Sequence, residues 1–328
     1  MERFLSSGND YSLITAIIMN PSANDWEAKK RRPEMEEYLQ RYEIPHEIFE
    51  TQPDGKTIDL VSGIADKGYG RIVAVGGDGT INEVINGIMR SSRRNRPELA
   101  LIPFGTANDI SRSFGIFVDN LENCVRTIKK GSAYDLDLGL VDGQRYFADA
   151  FTVGFDAEVL DDRENTRRQR LVLKTGIASY IPSLMSTLFG YKRVHAELCT
   201  DETHEFRKMY NMIFKNCRIY AGGFVLDDSI RANDGMIDVF VWKNISDYVS
   251  EIGTQMTKQI SGAVDPTGLS KGVVELFKSH EHFRITKTEL NLKKEVPTQI
   301  DGERYKKGKV FTVECIEAAL KLRVPVDG

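Results

Sequence analysis

Short apolar runs alternate with charged or amphipathic stretches along the first part of the chain, and this alternation limits the fold more than any other feature of the sequence. The apolar runs are LITAIIMN, HEIFET, RIVAVGG and LALIP, at residues 13–20, 46–51, 71–77 and 99–103. Helical patterns lie between them, near 25–42 and at 57–68. Apolar strands separated by helices imply a parallel sheet that helices cover on both faces. The sequence therefore predicts a Rossmann-like α/β domain over residues 11–141.

A glycine-rich turn, GGDGT at residues 76–80, directly follows the third apolar run. From Ile81 onward, apolar residues recur at i, i+3, i+4 and i+7, so an amphipathic helix begins at the turn. A helix N-terminus presents unpaired N–H groups and partial positive charge, and glycines let a ligand approach the backbone closely. Phosphate would repel Asp78 unless a cation such as Mg²⁺ lay between them. The turn therefore predicts a polyphosphate site with a divalent cation.

Polar or turn residues also follow the other three predicted strands of this domain. They are Asn20-Pro21, Thr51 and Phe104-Gly105-Thr106, and the last group opens the stretch GTANDISR. Open α/β sheets bind ligands in the crevice beyond the carboxyl ends of their strands. We therefore expect the two glycine–hydroxyl turns, at 76–80 and 105–106, to contact one ligand.

Past about residue 142 the pattern changes to segments in which apolar and polar residues alternate, which is typical of antiparallel strands. Examples are RYFADAFTVGF, RVHAELCT, FRKMYNMIF, MIDVFVW, HFRITKTELNL and KVFTVECI. Two helical patterns interrupt them, near 171–190 and 245–279. We therefore predict a β-rich, β-sandwich domain over residues 142–310, followed by a C-terminal segment, 311–328, that packs back toward the first domain.

Charge and cysteine content narrow the classes of partner. The net charge of −4 provides no global positive field to recruit nucleic acid, and we identify no nucleic-acid-binding motif. The four cysteines lie far apart without a CxxC pair, which fits neither a disulfide framework nor a zinc site.

The N-terminus lacks the pattern of a leader peptide, and no run reaches the roughly 18 apolar residues that span a bilayer. We expect a cytoplasmic protein that can still contact the inner membrane face peripherally.

Two motifs together resemble a known family. GGDGTINEV, followed shortly afterwards by PFGTANDISR, is similar to the catalytic domain of the diacylglycerol kinase family, in particular its small bacterial lipid kinases. LDLGLVDGQRYFADAFTVGFDAEV resembles the segment that joins the family's domains, and TQIDGE resembles its catalytic turn. The resemblance runs from about residue 13 to about 325. It implies an NAD kinase/diacylglycerol kinase-like fold that uses ATP and Mg²⁺.

The resemblance implies that the glycine turns and the first two strand ends bind ATP. Asn20-Pro21 matches the family's Asn-Pro, although SAND follows it where small residues ending in glycine are usual. Asp78 would also hold the catalytic Mg²⁺, and Asp109 could join it as a ligand, act as the N-cap of the helix ISRSF, or do both. The implied ATP-binding residues are Asn20, Thr51, Gly76, Gly77, Asp78, Gly79, Thr80, Asn82, Glu83, Gly105, Thr106 and Asn108.

Two further roles are implied in the second domain. Glu303 in DGE matches the family's general base, which takes the proton from the lipid hydroxyl as that hydroxyl attacks the γ-phosphorus. An unperturbed Glu has a pKa of about 4.3, so its strength as a base depends on burial and on neighbouring charges. Asp234 in RANDGMID matches a structural Mg²⁺ site that the main-chain oxygens of Arg231 and Met236 would complete. A metal-free Asn-Asp-Gly turn is the alternative.

Three aspartates and one long stretch are candidates for contact with the lipid. Asp135, Asp137 and Asp156 stand near the inferred hinge, where the acceptor should lie. The stretch DRENTRRQRLVLKTGIASYIPSLMSTLFGYKR joins a basic run to an apolar, aromatic segment, so it predicts either an interfacial helix at a membrane surface or a core helix. Its basic side chains are Arg167, Arg168, Arg170 and Lys174, and its apolar ones include Tyr180, Leu184, Leu188 and Phe189.

Three functions are compatible with these patterns. The first is an ATP- and Mg²⁺-dependent lipid kinase with diacylglycerol as the leading acceptor, while sphingoid bases, monoacylglycerol and phosphatidylglycerol stay open. The second is a kinase for a soluble acceptor such as NAD, because those enzymes share the GGDGT turn. The third is a nucleotide-binding regulator without turnover. A homodimer is also compatible with the sequence.

Overall fold

The computed structural model of the protein divides into two compact units. One unit comprises residues 1–136 together with 318–328, and the other comprises residues 137–317. The structure describes residues 10–169, 187, 190–200, 203–248, 250 and 280–326. The two helical patterns predicted near 171–190 and 245–279 therefore lie almost entirely outside the described residues. The division after residue 136 falls a few residues before the domain boundary that the sequence predicts.

Parallel strands form the sheet of the first unit, as the apolar runs predict. The strands are β1 (Thr15–Met19), β2 (His46–Glu50), β3 (Arg71–Gly76) and β4 (Glu98–Pro103). They lie in the order β2-β1-β3-β4, and each neighbouring pair is parallel. Near the C-terminus, Leu322 adds a parallel pairing with Leu99 on the other side of β4. Every residue of β1 is buried, which fits a central strand that helices cover on both faces.

Six α-helices lie in the described residues of the first unit. They are α1 (Ala23–Lys30), α2 (Arg32–Arg41), α3 (Lys56–Lys67), α4 (Asp78–Arg90), α5 (Asp109–Ser113) and α6 (Leu121–Lys130), with 3₁₀ turns at Tyr11–Leu13 and Val118–Asn120. The helical pattern near 25–42 corresponds to two helices, α1 and α2, which separate at Arg31. Pro33 in the first turn of α2 explains the break, since proline has no N–H to continue a preceding helix.

Antiparallel strands dominate the second unit. The strands are β5 (Ser132–Val141), β6 (Arg145–Phe147), β7 (Ala150–Gly154), β8 (Val194–Cys199), β9 (Thr203–Met209), β10 (Asn211–Lys215), β11 (Ile219–Tyr220), β12 (Phe224–Val225), β13 (Ile237–Trp242), β14 (His280–Ile285), β15 (Lys287–Ile300) and β16 (Glu303–Val324). The central path runs β14-β13-β10-β7-β15-β16, β8 pairs with β15 and β9, and β5 pairs with β6 and β16. Helix α7 (Phe155–Gln169) follows β7.

Burial along these strands differs from the predicted alternation in the centre of the sheet. In β8 the buried and exposed positions alternate, as the sequence predicts. In β7, β10 and β13 every residue is buried. Two apolar clusters explain this: Phe151 and Phe214 pack into one cluster, whereas Ile213 and Trp242 pack into the other. These central strands are therefore covered on both faces, which a two-residue period in the sequence cannot reveal.

No helix among the described parts of the chain combines the length and the apolar character needed to cross a membrane.

A buried ion pair lies inside the second unit. Lys215 at the end of β10 is fully buried, and its Nζ donates to Oδ1 of Asp149 and, at 2.5 Å, to the backbone oxygen of Ile219. The same ammonium lies 5.3 Å from the ring centroid of Tyr220. Because both charges are removed from water, each depends on the other for compensation.

Replacing Asp149 with Asn therefore leaves the Lys215 ammonium buried without its counter-ion. We expect the free energy of unfolding to fall by about 3–5 kcal/mol, as measured by chemical denaturation. Glu314→Gln is the matched control, because it breaks an exposed pair with Lys287 and should cost less than about 1 kcal/mol. Equal losses in the two variants would contradict the dependence of this unit on the buried pair.

Candidate active site

The candidate site of the first unit lies where the parallel strands end. The chain adds β2 on one side of β1 and then β3 and β4 on the other side, so the order of strand addition switches between β1 and β3. Open α/β sheets bind their ligands at such a switch point. Backbone hydrogen bonds align the residues that follow the strands: Asn20 N–H donates to Val75 at 2.8 Å, and Thr51 N–H donates to Met19 at 2.8 Å. The residues that the sequence places at the first three strand ends therefore lie along one edge of this sheet.

Asn20 links the first strand end to the glycine turn. Its Nδ2 donates to Oγ1 of Thr80 at 3.2 Å. Its Oδ1 accepts from the backbone N–H of Ser22 at 3.1 Å and from the Ser22 hydroxyl at 2.8 Å. One side chain thus holds both the loop after β1 and the first turn of α4.

Two glycine turns approach each other so closely that neither tolerates a side chain. A Cβ atom on Gly105 would lie 2.6 Å from Cα of Gly77 and 2.5 Å from Oδ1 of Asn108. A Cβ atom on Gly76 would lie 2.5 Å from Oγ1 of Thr80. Gly77 occupies the N-cap position of α4 and has no side chain to cap it. The first N–H groups of α4 therefore face a narrow cradle in which an anion is their natural partner.

The side chain of Asn108 stabilises the second turn by hydrogen bonds to the backbone of Gly105. Its Oδ1 accepts from the N–H of Gly105 at 2.8 Å, and its Nδ2 donates to the Gly105 oxygen at 2.8 Å. Asn108 adopts a left-handed conformation, with φ of 55°, and holds the N-cap position of α5. The alternative that Asp109 caps this helix is therefore wrong, because Asp109 is the first residue inside it. Asn tolerates the left-handed region better than other non-glycine residues.

Asp78 stands at the start of α4 and is partly exposed. Its Oδ1 accepts from the backbone N–H of Ile110 at 3.4 Å, so the carboxylate lies beside the start of α5, where Asp109 is buried. A partly exposed carboxylate beside a glycine cradle is the kind of ligand that Mg²⁺ takes together with phosphate oxygens and water. Within the described ranges, no cluster of three or more His, Cys, Asp or Glu side chains is arranged to hold a metal by itself.

The remaining predicted nucleotide residues of the first unit differ in exposure. Gly79 and Glu83 are partly exposed and Thr106 is exposed, so each can reach a ligand. Asn82 is only 1% exposed and its Oδ1 accepts from Nδ2 of Asn86 at 3.2 Å within α4. The geometry therefore favours a supporting position for Asn82 over a direct contact.

The DGE turn of the second unit is held by its aspartate. Asp301 is buried, and its carboxylate accepts three backbone N–H groups, from Ala148 at 3.0 Å, Asp149 at 2.9 Å and Ala150 at 2.9 Å. Glu303 begins β16 and is exposed, and it pairs with Ile300 across the hairpin. The family resemblance implies no role for Asp301, although an aspartate before glycine in a turn is a known signal for side-chain-to-backbone hydrogen bonds.

Cations near Glu303 are paired with acids of the same unit. Asp161 on α7 forms ion pairs with Arg304 and, at 3.0 Å, with Lys307. Asp142 lies 2.7 Å from Nζ of Lys306, and this hydrogen bond raises the pKa of Lys306 above its ordinary value. These pairs fix the direction of the strand that Glu303 begins.

The loop predicted as a structural metal site is closed by ion pairs and backbone bonds. Asp234 forms an ion pair with Arg284 and accepts from the N–H of Met236 at 3.2 Å. The N–H of Gly235 donates to Oδ2 of Asp137 at 2.7 Å. Nη1 of Arg231 donates to the backbone oxygens of Asp228 and Ile230, at 2.7 and 2.8 Å. Mg²⁺ at Asp234 with the oxygens of Arg231 and Met236 stays a prediction.

The three aspartates proposed as lipid contacts have internal partners. Asp135 is exposed and lies 2.6 Å from Lys321, whereas Asp137 is buried against the loop that carries Gly235. Asp156 accepts from Asn211 at 2.6 Å and from the hydroxyls of Tyr220 and Tyr248. Burial raises the pKa of Asp156 even though these hydrogen bonds act in the opposite direction. The basic and apolar side chains of the predicted interfacial helix lie outside the described residues.

Comparisons with known proteins point to the same family as the sequence motifs. Residues 15–141 match the sequence model of the diacylglycerol kinase catalytic domain. A Pseudomonas aeruginosa protein named "Probable lipid kinase YegS-like" is 28% identical over 278 residues, which cover 84% of this chain and 83% of that protein. A Cronobacter sakazakii protein of the same name is 25% identical over 283 residues, covering 86% of this chain and 87% of that protein.

The fold is also similar to solved structures from Bacillus anthracis. A protein named "putative diacylglycerol kinase" aligns with a TM-score of 0.70 at 19% identity, covering 95% of this chain and 97% of that one. A second structure, of a diacylglycerol kinase, aligns with a TM-score of 0.65 at 18% identity and the same coverage. These comparisons confirm the predicted fold class, a parallel-sheet α/β unit with an antiparallel β-rich unit. Residues 15–141 thus match the diacylglycerol kinase catalytic domain family, and most of the chain is similar to proteins named as lipid kinases.

Proposed function

We propose that the protein is an ATP- and Mg²⁺-dependent lipid kinase that transfers the γ-phosphate of ATP to a lipid hydroxyl, with diacylglycerol as the leading acceptor and phosphatidic acid as the product. The observation that carries this proposal is the contact between the two glycine turns at Gly77 and Gly105. It creates a cradle at a helix N-terminus beside the Asp78 carboxylate, and such a cradle suits a polyphosphate with its cation. Relatives named lipid kinases support the choice of acceptor class.

The residues of this chain have distinct roles in the proposed reaction. The backbone N–H groups of the two turns and the hydroxyl of Thr80 hold the phosphate chain, and Asp78 holds its cation. Mg²⁺ would neutralise charge on the phosphate oxygens as the bond to the leaving oxygen breaks. The acceptor oxygen forms a bond to the γ-phosphorus, ADP departs, and the hydroxyl proton passes to Glu303. Because phosphoryl transfer has a loose transition state, positioning contributes more than proton removal.

Transfer of label from γ-³²P-labelled ATP to diacylglycerol in mixed micelles tests this proposal. We expect labelled phosphatidic acid from the wild-type protein and at least about 10²-fold lower kcat from Asp78→Asn and Glu303→Gln. Asp59→Asn and Glu314→Gln are matched controls, since they neutralise exposed carboxylates that pair with Arg90 and Lys287. Near-normal turnover of both site variants would reject the assigned residues.

A panel of acceptors in the same assay separates the alternatives. Label on a sphingoid base, monoacylglycerol or phosphatidylglycerol, with none on diacylglycerol, would reject diacylglycerol and keep the lipid kinase. Label only on NAD would reject the lipid class. ATP binding without label on any acceptor would favour a regulator without turnover.

A methyl group at Gly105 should separate the two turns. Gly105→Ala places Cβ 2.6 Å from Cα of Gly77, so we expect a loss of about 1–3 kcal/mol in unfolding free energy and weaker ATP binding. Gly63→Ala in α3 is the control, because no atom lies within 4 Å of its Cβ and alanine favours a helix. Titration of both variants with ATP and Mg²⁺ measures the effect. Unchanged affinity in Gly105→Ala would argue against a shared phosphate site.

Asp301 should act as a positioning residue for Glu303. Asp301→Asn keeps the size of the side chain but replaces one acceptor oxygen with a donor that faces the N–H groups of 148–150. We expect kcat to fall about 10²-fold, because a displacement of about 1 Å has that effect on a reacting group, while ATP affinity stays unchanged. Steady-state kinetics together with ATP titration measure this split. Equal losses in kcat and in ATP affinity would indicate a general structural role instead.

A further inference from the structure

A cavity of about 610 Å³ lies in the second unit, beside the start of β8 and the end of β13. The described residues that line it come from three separate segments of this unit: Tyr191, Lys192, Arg193, Lys208, Tyr210, Asn244, Ile245 and Ser246. None of them belongs to the glycine turns or to the DGE turn. The cavity is therefore a feature that the proposed phosphoryl transfer does not use.

The charge of this lining is positive. Lys192, Arg193 and Lys208 border the cavity, and none of the described lining residues is a carboxylate. Arg193 donates one of its N–H groups to Oδ1 of Asn244 at 2.9 Å, which fixes its position and leaves further donors on the same guanidinium. A concave surface lined by one sign of charge raises the local concentration of ions of the opposite sign.

Two buried hydroxyls at this cavity have no hydrogen-bond partner in the described part of the chain, those of Tyr191 and Tyr210. Tyr210 is only 3% exposed, and its ring is held by stacking on Phe155, with 4.7 Å between the ring centroids. A buried polar group without a hydrogen-bond partner destabilises the folded state by about 1–3 kcal/mol. Such groups are therefore rare in native structures, and each one needs an explanation. Burial also raises the pKa of both tyrosines, which keeps the hydroxyls protonated as donors.

The other polar groups of the lining already have partners. Nδ2 of Asn244 and the hydroxyl of Ser246 donate to the carboxylate of Asp247, at 3.1 and 3.2 Å. The donors left for a ligand are thus the tyrosine hydroxyls and the cationic side chains. Because all of these are donors, the matching ligand is an acceptor with negative charge. Phosphate, with several acceptor oxygens, matches them better than a neutral group.

We propose that this cavity binds the phosphate group of an anionic ligand, with Lys192, Arg193 and Lys208 as counter-charges and the Tyr210 hydroxyl as a buried donor. The cavity is much larger than a phosphate group, and Ile245 with the tyrosine rings offers an apolar wall for the rest of the ligand. A phospholipid headgroup and a small organic phosphate share this chemistry. Binding here stands independently of the proposed kinase activity.

The test is a binding measurement on the full-length protein, in two arms that separate these sources. In the first arm, sn-glycerol 3-phosphate is titrated by calorimetry in the presence of ADP and Mg²⁺, which keeps the glycine turns from competing for it. In the second arm, the protein is sedimented with phosphatidylcholine vesicles that contain or lack phosphatidic acid. Saturable binding in the first arm identifies a soluble phosphate. Sedimentation that needs phosphatidic acid identifies a lipid headgroup.

Variants assign the binding to this cavity. Tyr210→Phe removes only the buried hydroxyl and should weaken binding about tenfold without lowering the melting temperature. Arg193→Gln combined with Lys208→Gln should weaken it by at least about tenfold. Lys287→Gln, an exposed lysine outside the lining, should leave it unchanged. Binding that is absent in both arms, or equal in all variants, would overturn the proposal whatever the outcome of the kinase assay.

Discussion

The close approach of Gly77 to Gly105 is the contact on which the candidate site of the first unit depends. Two loops that follow adjacent strands meet at backbone distance, so no side chain separates the N–H groups of the first turn from those of the second. Asn20 and Asn108 hold this arrangement from either side, through Thr80 and through the Gly105 backbone. The side chains of Asn20 and Asn108 thus position the backbone of the two turns. The backbone N–H groups are the donors that an anion in the cradle can contact.

The second unit uses buried polar groups in a different way. Asp301 satisfies three backbone N–H groups, and Lys215 is compensated by Asp149, one of the residues whose N–H donates to Asp301. Buried groups of this kind are costly when one partner is missing, so they specify one arrangement of the chain. The turn that presents Glu303 is therefore fixed by an interior network, although Glu303 itself is exposed.

The sequence was most informative where a feature is local. The alternation of strands and helices predicted the parallel sheet, and the spacing after Ile81 predicted α4, because both patterns depend on neighbours within a few residues. The helical pattern near 25–42 did not mark the break at Arg31, although Pro33 lies just after it. Features that join distant segments could not be predicted: the ion pair of Asp234 with Arg284 spans fifty residues, and the cavity lining comes from three segments. In the second unit, the alternating pattern likewise did not show which strands are buried on both faces.

The first residues of α1, which follow the loop after β1, depart from helical backbone geometry. Where the family usually has small residues ending in glycine, this chain has SAND followed by Trp26, and Asn24, Asp25 and Trp26 all have positive φ, of 52°, 55° and 69°. Asn and Asp enter the left-handed region at low cost, since their short side chains form local hydrogen bonds. Trp26 lacks that advantage and costs roughly 1–2 kcal/mol there, yet its side chain is 53% exposed. This segment therefore adopts, without glycine, a conformation that glycine would adopt freely, and it directly follows Asn20, which bonds to Thr80.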